Sequence, residues 1–449
     1  MSRHKGRNLR FQPAGGEKPV AIPVGKKQTL KIERLSHDGR GIAFCESKTW
    51  FVTGALVDEQ VVARVLNARS KVVEANAEKI EQASPLRQVP KCQYFSQCGG
   101  CTLQHMSNAQ QLSLKQKGLA EQLQRAGVEP KEWAPSLEST SWAYRRRARI
   151  AVKWDDKQGL QVGFRQAASN AIVAVEQCLV LQDDLQQVFP FIVQCLKALY
   201  KPRSIGHVEV FSGTHIALLV RLTAPLAEQD YVALRELAQQ QNLQLWWQDQ
   251  GLAYPDKAES TLGFSLPTWN LTLAWRPGDF VQVNDQINQQ MIEQALTWLA
   301  PKKNEYVLDL FCGLGNFSLP LAKQVAQVVG VEGVPAMVER AKQNAQSNQL
   351  NNVQFYHADL NQPLVAHSWA KQKFAGALLD PPREGALETV KYLAKLAVER
   401  IVYVSCNPAT LARDAAALEQ CGYKMIRCAV MDMFPQTAHV EAMALFERT

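Results

Sequence analysis

Cys406 is the residue whose surroundings first suggest chemistry. It follows an apolar run at residues 401–404 and precedes Pro408, a residue that suits the first turn of a helix. In an open α/β sheet, ligands bind where the strands end, so a cysteine on such a turn is placed to meet a substrate. A helix N-terminus lowers the pKa of a nearby thiol, and we expect this of Cys406. Taken alone, however, the pattern favours a buried cysteine that packs at a strand end.

A glycine-containing loop forms a second candidate site. Residues 307–310 read as a strand and lead into D-L-F-C-G-L-G-N-F, which contains Gly313 and Gly315. The spacing differs from the three-glycine fingerprint that binds a pyrophosphate. It resembles the S-adenosylmethionine loop of class I methyltransferases, in which glycines let the backbone approach the cofactor. Asp309 is then expected near the polar end of the cofactor, and turn-capping is the alternative for this residue.

Polar residues at later strand ends extend this site. Glu332 ends a second strand, 17 positions beyond the second glycine of the loop, and is placed to bind both ribose hydroxyls. Asp359 and Asp380 follow two further strand-like runs. Asp359 is expected on the adenine side, although it too could simply cap a turn. Gln282 lies on a predicted strand over residues 280–284, and its amide could also reach the cofactor.

The residue after Asp-Pro-Pro discriminates between methyltransferase classes. Methyltransferases of amino nitrogens usually carry an aromatic residue there, and RNA cytosine-C5 methyltransferases usually carry a nucleophilic cysteine. This chain has Arg383, so the available nucleophile is Cys406 on the following strand.

Three cysteines crowd into one segment with the spacing C-x5-C-x2-C. They are Cys92, Cys98 and Cys101, two glycines separate the last pair, and Cys178 is the candidate fourth ligand. Four thiolates fit either a tetrahedral zinc ion or an iron–sulfur cluster. Zinc more often uses two paired knuckles, so the solitary fourth cysteine favours a cluster. The alternative is a set of unrelated buried cysteines.

The chain of 449 residues is long enough for two or three domains. We expect a basic flexible tail at 1–23, a small β-barrel at 24–83, a central α+β domain at 84–268 and an α/β domain at 269–449. Residues 1–40 contain ten Lys and Arg against three acidic residues, which accounts for +7 of the net charge of +8. Such a basic arm is typical of a phosphate-seeking tail, or it merely solubilises the terminus. No apolar run is long enough to span a membrane, and we expect a cytoplasmic protein without disulfides.

Two features predict RNA binding. The short strands, glycine turns and basic residues of 29–81 resemble the TRAM domain, an RNA-binding barrel of the oligonucleotide-binding type. Arg145, Arg147 and Arg149 alternate along a predicted strand next to Trp142 and Tyr144. Arginine and aromatic side chains together suit phosphates and stacked bases. A solvated edge strand is the alternative.

Together these motifs resemble the bacterial RNA uracil-C5 methyltransferases over nearly the whole chain. The TRAM-like barrel and the cysteine motif point to the members that act on 23S ribosomal RNA. The resemblance implies a class I, Rossmann-like methyltransferase domain and a [4Fe-4S] cluster on Cys92, Cys98, Cys101 and Cys178. It also implies contacts with S-adenosylmethionine from Gln282, Phe311, Asn316, Glu332, Asp359 and Asp380.

In this family the nucleophile would be Cys406 and the proton-abstracting base Glu441. Uracil C5 is a poor nucleophile, and addition of a thiolate at C6 activates it. A base must then remove the C5 proton, and His439 is the second candidate for that role. The target base must leave its stack, so we expect base flipping, with Arg383 and Asp380 near the base or its backbone. We expect a monomer without an obligate protein partner.

Two other functions remain open at this point. One is an iron–sulfur redox or sensor protein that merely binds RNA. The other is an RNA cytosine-C5 methyltransferase, which Arg383 disfavours.

Overall fold

The structure is a computed structural model that describes residues 22–449 except 158, 363, 365 and 366. The expected basic tail at 1–23 therefore lies almost entirely outside the described residues. The described residues divide into two compact units, the first comprising residues 22–36 and 40–85 and the second residues 37–39 and 86–449. The expected boundary at 268/269 lies within the second unit and stays a prediction. In the described residues, no helix is both long enough and apolar enough to cross a membrane.

The first unit is a six-stranded sheet around one apolar core. Its strands are β1 (Lys27–Lys31), β2 (Arg34–Leu35), β3 (Gly41–Cys45), β4 (Lys48–Thr53), β5 (Gln60–Ala68) and β6 (Val72–Gln82), in the order β1-β5-β6-β4-β3-β2. Residues alternate between the two faces of β5, where Val61, Ala63 and Val65 are buried and Arg64 is exposed. This period of two is what a half-buried strand requires.

The second unit begins with α1 (Asn108–Arg125) and the short strand β7 (Glu132–Trp133). A seven-stranded sheet follows in the order β10-β9-β8-β11-β12-β13-β14. Its strands are β8 (Arg147–Asp155), β9 (Gly159–Arg165), β10 (Ile172–Ala174), β11 (Ile205–Ser212), β12 (Ile216–Leu222), β13 (Leu243–Asp249) and β14 (Leu252–Pro255). The amphipathic helices α2 (Asp183–Ala198) and α3 (Glu228–Gln240) share one core with this sheet. A hairpin of β15 (Leu262–Leu266) and β16 (Leu271–Trp275) comes next.

The C-terminal part is an eight-stranded sheet in the order β19-β18-β17-β20-β21-β23-β22-β7. Its further strands are β17 (Tyr306–Leu310), β18 (Gln327–Glu332), β19 (Val353–His357), β20 (Gly376–Leu379), β21 (Arg400–Ser405), β22 (Tyr423–Met431) and β23 (Glu441–Arg448). The helices are α4 (Asp285–Leu299), α5 (Ser318–Ala322), α6 (Pro335–Ser347), α7 (Leu387–Lys395) and α8 (Pro408–Gln420). Helices α4, α5 and α6 share a core with one sheet face, and α1, α7 and α8 share a core with the other. Because both faces are covered, the central parallel strands read as continuous apolar runs.

Strand order and direction determine where the site lies. The five strands from β19 to β21 are parallel, and β17 lies between β18 and β20, so the order reverses there. Ligands bind at such a switch point, outside the carboxyl ends of the strands. Strand β23 runs antiparallel to β21, so the first residue of β23 lies at this same edge.

The predicted strand over 280–284 is wrong. Arg146 takes up the polar groups of this segment, because its Nε donates to the Gln282 carbonyl at 2.7 Å and its backbone N–H donates to the Val283 carbonyl at 2.9 Å. Asn284 then caps α4, its side-chain oxygen accepting from the Ile287 N–H at 3.3 Å. The segment therefore leads from the β15–β16 hairpin into α4, with an isolated bridge between Asn284 and Arg145.

Candidate active site

The glycine loop after β17 has the backbone that its sequence predicts. Phe311, Gly313 and Gly315 all have positive φ, of 62°, 56° and 92°. A Cβ on Gly315 would lie 3.1 Å from the Leu319 side chain, so glycine fits there without a shift of its neighbour. Glu332, at the end of β18, accepts from the Gly313 N–H at 3.0 Å and fixes the loop against the second strand.

The other predicted cofactor residues lie around this loop. Asn316 forms a reciprocal amide pair with the buried Asn288 of α4, at 2.8 and 3.1 Å. The Gln282 side chain is almost fully buried. Asp359 is exposed and lies two residues beyond the end of β19, where its carboxylate accepts from the Asn361 N–H at 3.0 Å. That contact is the one that the turn-capping alternative predicts. The N–H of neighbouring Ala358 donates to the Glu332 carbonyl at 3.1 Å, which joins this turn to the end of β18.

Acidic groups dominate the electrostatics of this edge. Burial raises the pKa of Asp309 to about 7, against a hydrogen bond from the Ser318 hydroxyl, and Asp380 and Glu332 raise it further. Burial likewise raises the pKa of Asp380 to about 7. One oxygen of Asp309 is buried without a hydrogen-bond partner. The site therefore fits a ligand that carries positive charge, as the sulfonium and ammonium groups of S-adenosylmethionine do.

Cys406 and Glu441 are brought together by strand register. Ser405 of β21 pairs with Ala442 of β23, so the residues on either side of this pair, Cys406 and Glu441, are neighbours at the sheet edge. The Glu441 side chain is buried, and burial raises its pKa to about 8; Asp380 raises it further and Arg383 lowers it. A carboxylate of this kind is tuned to accept a proton near neutral pH.

The expected lowering of the Cys406 pKa is wrong. Partial burial raises the pKa of this thiol, Glu441 and Asp380 raise it further, and only Arg383 and a backbone hydrogen bond oppose them. Helix α8 does begin at Pro408, with the Asn407 side chain accepting from the Ala409 N–H at 3.1 Å. The helix terminus is present, but burial and the two acidic neighbours outweigh it.

Arg383 lies close to both groups. Its side chain is exposed, and its carbonyl accepts from the Asn407 amide at 3.0 Å and from the Thr410 hydroxyl at 3.3 Å. These bonds tie the Asp-Pro-Pro-Arg loop to the first turn of α8. His439 is solvent-accessible, and partial burial lowers its pKa, as do the cations Arg383, Lys115 and Arg145. A neutral imidazole therefore lies two residues before Glu441.

The four predicted cluster ligands lie in one neighbourhood. Burial raises the pKa of Cys178 to about 12, and the other three cysteines Cys101, Cys98 and Cys92 raise it further. The Gly100 N–H donates to the Cys98 sulfur at 3.4 Å, and the Gln104 side chain accepts from the Cys92 N–H at 3.1 Å. Among the described residues, however, no group of three or more His, Cys, Asp or Glu side chains is placed to hold a metal ion.

Two arginines of the predicted RNA-binding strand form ion pairs within the protein, which their pattern does not suggest. Arg147 and Arg149 both bind the carboxylate of Glu209, a buried residue of β11, with closest contacts of 2.7 and 2.5 Å. Burial opposes the ionisation of Glu209, but a hydrogen bond from His207 and these two arginines pull the pKa of this carboxyl far below its usual range. Arg145 precedes the strand and donates to the Arg147 carbonyl. Arg147 is therefore a structural ion-pair partner, whereas the Arg149 side chain stays 64% exposed.

Sequence reasoning missed three functional neighbours. Asn288 has no motif around it, and only the fold reveals that it holds Asn316. Glu209 is about 60 residues from the arginines that it binds. Lys115 of α1 is almost fully buried, although its sequence context is that of an ordinary polar helix.

Comparison with known proteins agrees with this geometry. The family model described as tRNA (Uracil-5-)-methyltransferase matches residues 107–449, and a TRAM domain model matches residues 23–77. The chain is 57% identical, over all of both chains, to a protein of Pseudomonas putida named 23S rRNA (uracil(1939)-C(5))-methyltransferase RlmD. It is 56% identical to the protein of that name from Pseudomonas aeruginosa, again over all of both chains.

A solved structure shows the same fold. It is the Pyrococcus abyssi tRNA (uracil-54, C5)-methyltransferase in complex with S-adenosyl-L-homocysteine, with a TM-score of 0.71 and 23% identity. The match covers 93% of this chain and 100% of that one. The expected TRAM domain and methyltransferase fold are therefore confirmed.

Proposed function

Because the chain belongs to the tRNA (uracil-5-)-methyltransferase family, we propose that it methylates C5 of a uridine in 23S ribosomal RNA. S-adenosylmethionine, when bound, supplies the methyl group as an electrophile. The observation that carries the proposal is the adjacency of Cys406 and Glu441 at the edge that also holds Asp380 and the glycine loop. A nucleophile, a base and a cofactor loop then meet at one place.

Each residue has one task in this proposal. The Cys406 sulfur forms a bond to C6 of the flipped uracil, which places an electron pair on C5 and makes that carbon nucleophilic. After methylation, Glu441 takes the proton from C5, and the returning electron pair expels the Cys406 thiolate. The high pKa of Glu441 suits this role, because a strong base is needed to remove a proton from carbon.

The cofactor residues divide between the loop and the strand ends. We propose that Phe311 and Asn316 contact the cofactor from the loop, and that Asn288 holds the Asn316 amide in place. Glu332 is placed for the ribose, and Asp380 lies between the cofactor side and the catalytic pair. We include Gln282 and Asp359 in this set; Asp359 follows Ala358, whose N–H donates to the Glu332 carbonyl.

The choice of RNA rests on the relatives and the domain composition. Proteins that share more than half of their residues with this chain are named for uracil 1939 of 23S rRNA. The TRAM domain and the exposed Arg149 supply further RNA-binding chemistry. We propose the cytoplasm, where ribosomal RNA is made, as the place of action.

We also propose that the cysteine site holds a [4Fe-4S] cluster. Four half-buried thiols in one neighbourhood are the donor set that such a cluster requires. In such a cluster each cysteine would bind a different iron, so the four thiolates would not have to meet at one metal position.

The decisive experiment replaces the nucleophile. Cys406→Ala should abolish methylation of unmodified 23S ribosomal RNA and also the covalent complex with RNA that contains 5-fluorouridine. Cys421→Ala, which removes an exposed thiol at the far end of α8, is the matched control and should keep both. Turnover by the Cys406 variant would overturn the proposal. Mapping 5-methyluridine in ribosomal and transfer RNA with and without the gene identifies the substrate.

A further inference from the structure

The loop that leads into β23, the strand that begins with Glu441, is held by hydrogen bonds from two other segments. Residues 432–438 connect β22 to β23 and pair with no strand, yet Asp432, Gln436 and Thr437 are all buried. Gln436 has a φ of 67°, a left-handed conformation that a non-glycine residue keeps only where its surroundings hold it. His439 and Glu441 follow directly, so this loop determines how the chain enters the active site.

Helix α1 holds the 432–438 segment from one side. The Lys115 ammonium lies 2.6 Å from the Asp432 carboxylate and donates to the Phe434 carbonyl at 3.0 Å. One turn earlier, the Gln111 side chain accepts from the Gln436 N–H at 2.8 Å and donates to the Gln436 side-chain oxygen at 3.0 Å. Residues four apart lie on one helix face, so both side chains point at the same loop.

The segment that follows the cysteine motif holds it from another side. The N–H groups of Thr102 and Leu103 both donate to the Gln436 carbonyl, at 2.9 and 3.0 Å. The Thr102 hydroxyl accepts from the Ala438 N–H at 3.2 Å. Thr102 comes directly after Cys101, so the cysteine site and the loop before Glu441 are joined by backbone hydrogen bonds.

These contacts do more than fill space. An apolar pair would bury the same area, but Lys115 and Gln111 bind particular carbonyl and N–H groups of the loop backbone. A buried lysine is costly unless it is paired, so its place here depends on the position of its partners. These hydrogen bonds therefore fix the position of the loop backbone, and the loop in turn positions the start of β23.

We propose that Lys115 and Gln111 are positioning residues that hold the 432–438 segment so that Glu441 reaches the C5 proton of the substrate. The inference rests on the proposed function, in which Glu441 is the base. It assigns α1, which lies outside the cofactor loop and the strand ends, to the proton-abstraction step and to no other. Formation of the Cys406–C6 bond depends on β21 and α8, and it should not need the contacts of Lys115 and Gln111 with the 432–438 segment.

The test separates the two steps in the full-length enzyme. The double variant Lys115→Met/Asp432→Asn removes the Lys115 ammonium with its ion pair, and it leaves no unpaired buried charge. Release of methylated RNA from the covalent complex with unmodified 23S ribosomal RNA should slow about tenfold or more. Complex formation with 5-fluorouridine RNA, whose C5 fluorine no base can remove, should stay within about twofold of the parent's rate, because it needs no such step. Hydrogen exchange of peptide 432–441 should become faster.

Two comparisons keep the outcomes distinct. Lys117→Met, an exposed lysine of the same helix, should leave both rates and the exchange unchanged. Equal slowing of both steps, unchanged release or unchanged exchange would overturn the positioning role. Glu441→Gln is measured in parallel. If it releases product at the parent's rate, the proposed base is wrong; if it stalls while the double variant does not, this inference alone fails.

Discussion

Release of the methylated RNA from Cys406 should accelerate about tenfold between pH 7 and pH 9. With a pKa of about 8, Glu441 is ionised in about a tenth of molecules at pH 7 and in about nine-tenths at pH 9. Only the ionised form can take the C5 proton. The rate should therefore follow this fraction, rising by about a factor of ten per pH unit well below pH 8 and levelling above it.

The structural cause of this pH dependence is burial. The Glu441 carboxyl lies inside the site, and Asp380 adds a negative charge that further disfavours its ionisation, while Arg383 compensates in part. Methyl transfer removes the sulfonium charge, so that charge no longer offsets Asp380 at the moment when the base acts. An exposed glutamate would instead be fully ionised at pH 7, and release would not change with pH.

The assay must isolate the release step, because the Cys406 pKa is also raised and complex formation will respond to pH as well. The covalent complex is formed at one pH with a radiolabelled methyl group, and excess unlabelled RNA and a pH jump follow. The denaturant-stable complex is then counted over time. Glu441→Gln should keep the complex and lose the pH slope. Glu447→Gln, an exposed glutamate of the same strand, should behave like the parent. A flat profile for the parent from pH 6.5 to 9 would refute the reasoning.

Two further predictions concern the cysteine site and the Asp-Pro-Pro-Arg loop. Protein purified without oxygen should be brown with broad visible absorption, which Cys178→Ser should remove and Cys195→Ser should keep; a colourless zinc protein would contradict the cluster. Gly385 and Gly422 have φ of 77° and 84°, but only at Gly385 would a Cβ meet other atoms, 2.6 Å from the side chains of two neighbouring residues. In chemical denaturation, Gly422→Ala should lower the free energy of unfolding by about 1 kcal/mol, and Gly385→Ala should lower it by about 1 to 3 kcal/mol more. Equal losses would show that the positive φ alone determines the effect of both substitutions.

The strand ends were predictable because their signal is local. An apolar run followed by a polar residue or a glycine marks the end of a buried parallel strand, and Glu332, Asp380 and Cys406 were all found in this way. Glu441 carried no such signal, since it begins a strand instead of ending one. Only the resemblance to a family pointed to it, and only the antiparallel register places it beside Cys406.

The sequence could not show how charged residues that are far apart along the chain act on one another after folding. The Cys406 pKa depends on Asp380 and Glu441, which lie 26 and 35 positions away along the chain and meet the thiol only after folding. The same holds for Arg147 and Arg149, whose pattern suggested free cations until Glu209 was found between them. Motifs identify the residues of a site, but the pairing of charges depends on the tertiary fold.

The raised pKa of Cys406 results from its surroundings in the site, and it is compatible with the proposed role of this residue as the nucleophile. Burial raises the thiol pKa most, and the carboxyls of Glu441 and Asp380 raise it further; Asp380, directly after β20, is the one that a cationic cofactor at the strand ends would meet. A positive charge added among them lowers the thiol pKa by the same electrostatics that now raises it. A thiol that is protonated until its reaction partners are assembled is also protected from oxidation, because the thiolate is the reactive form.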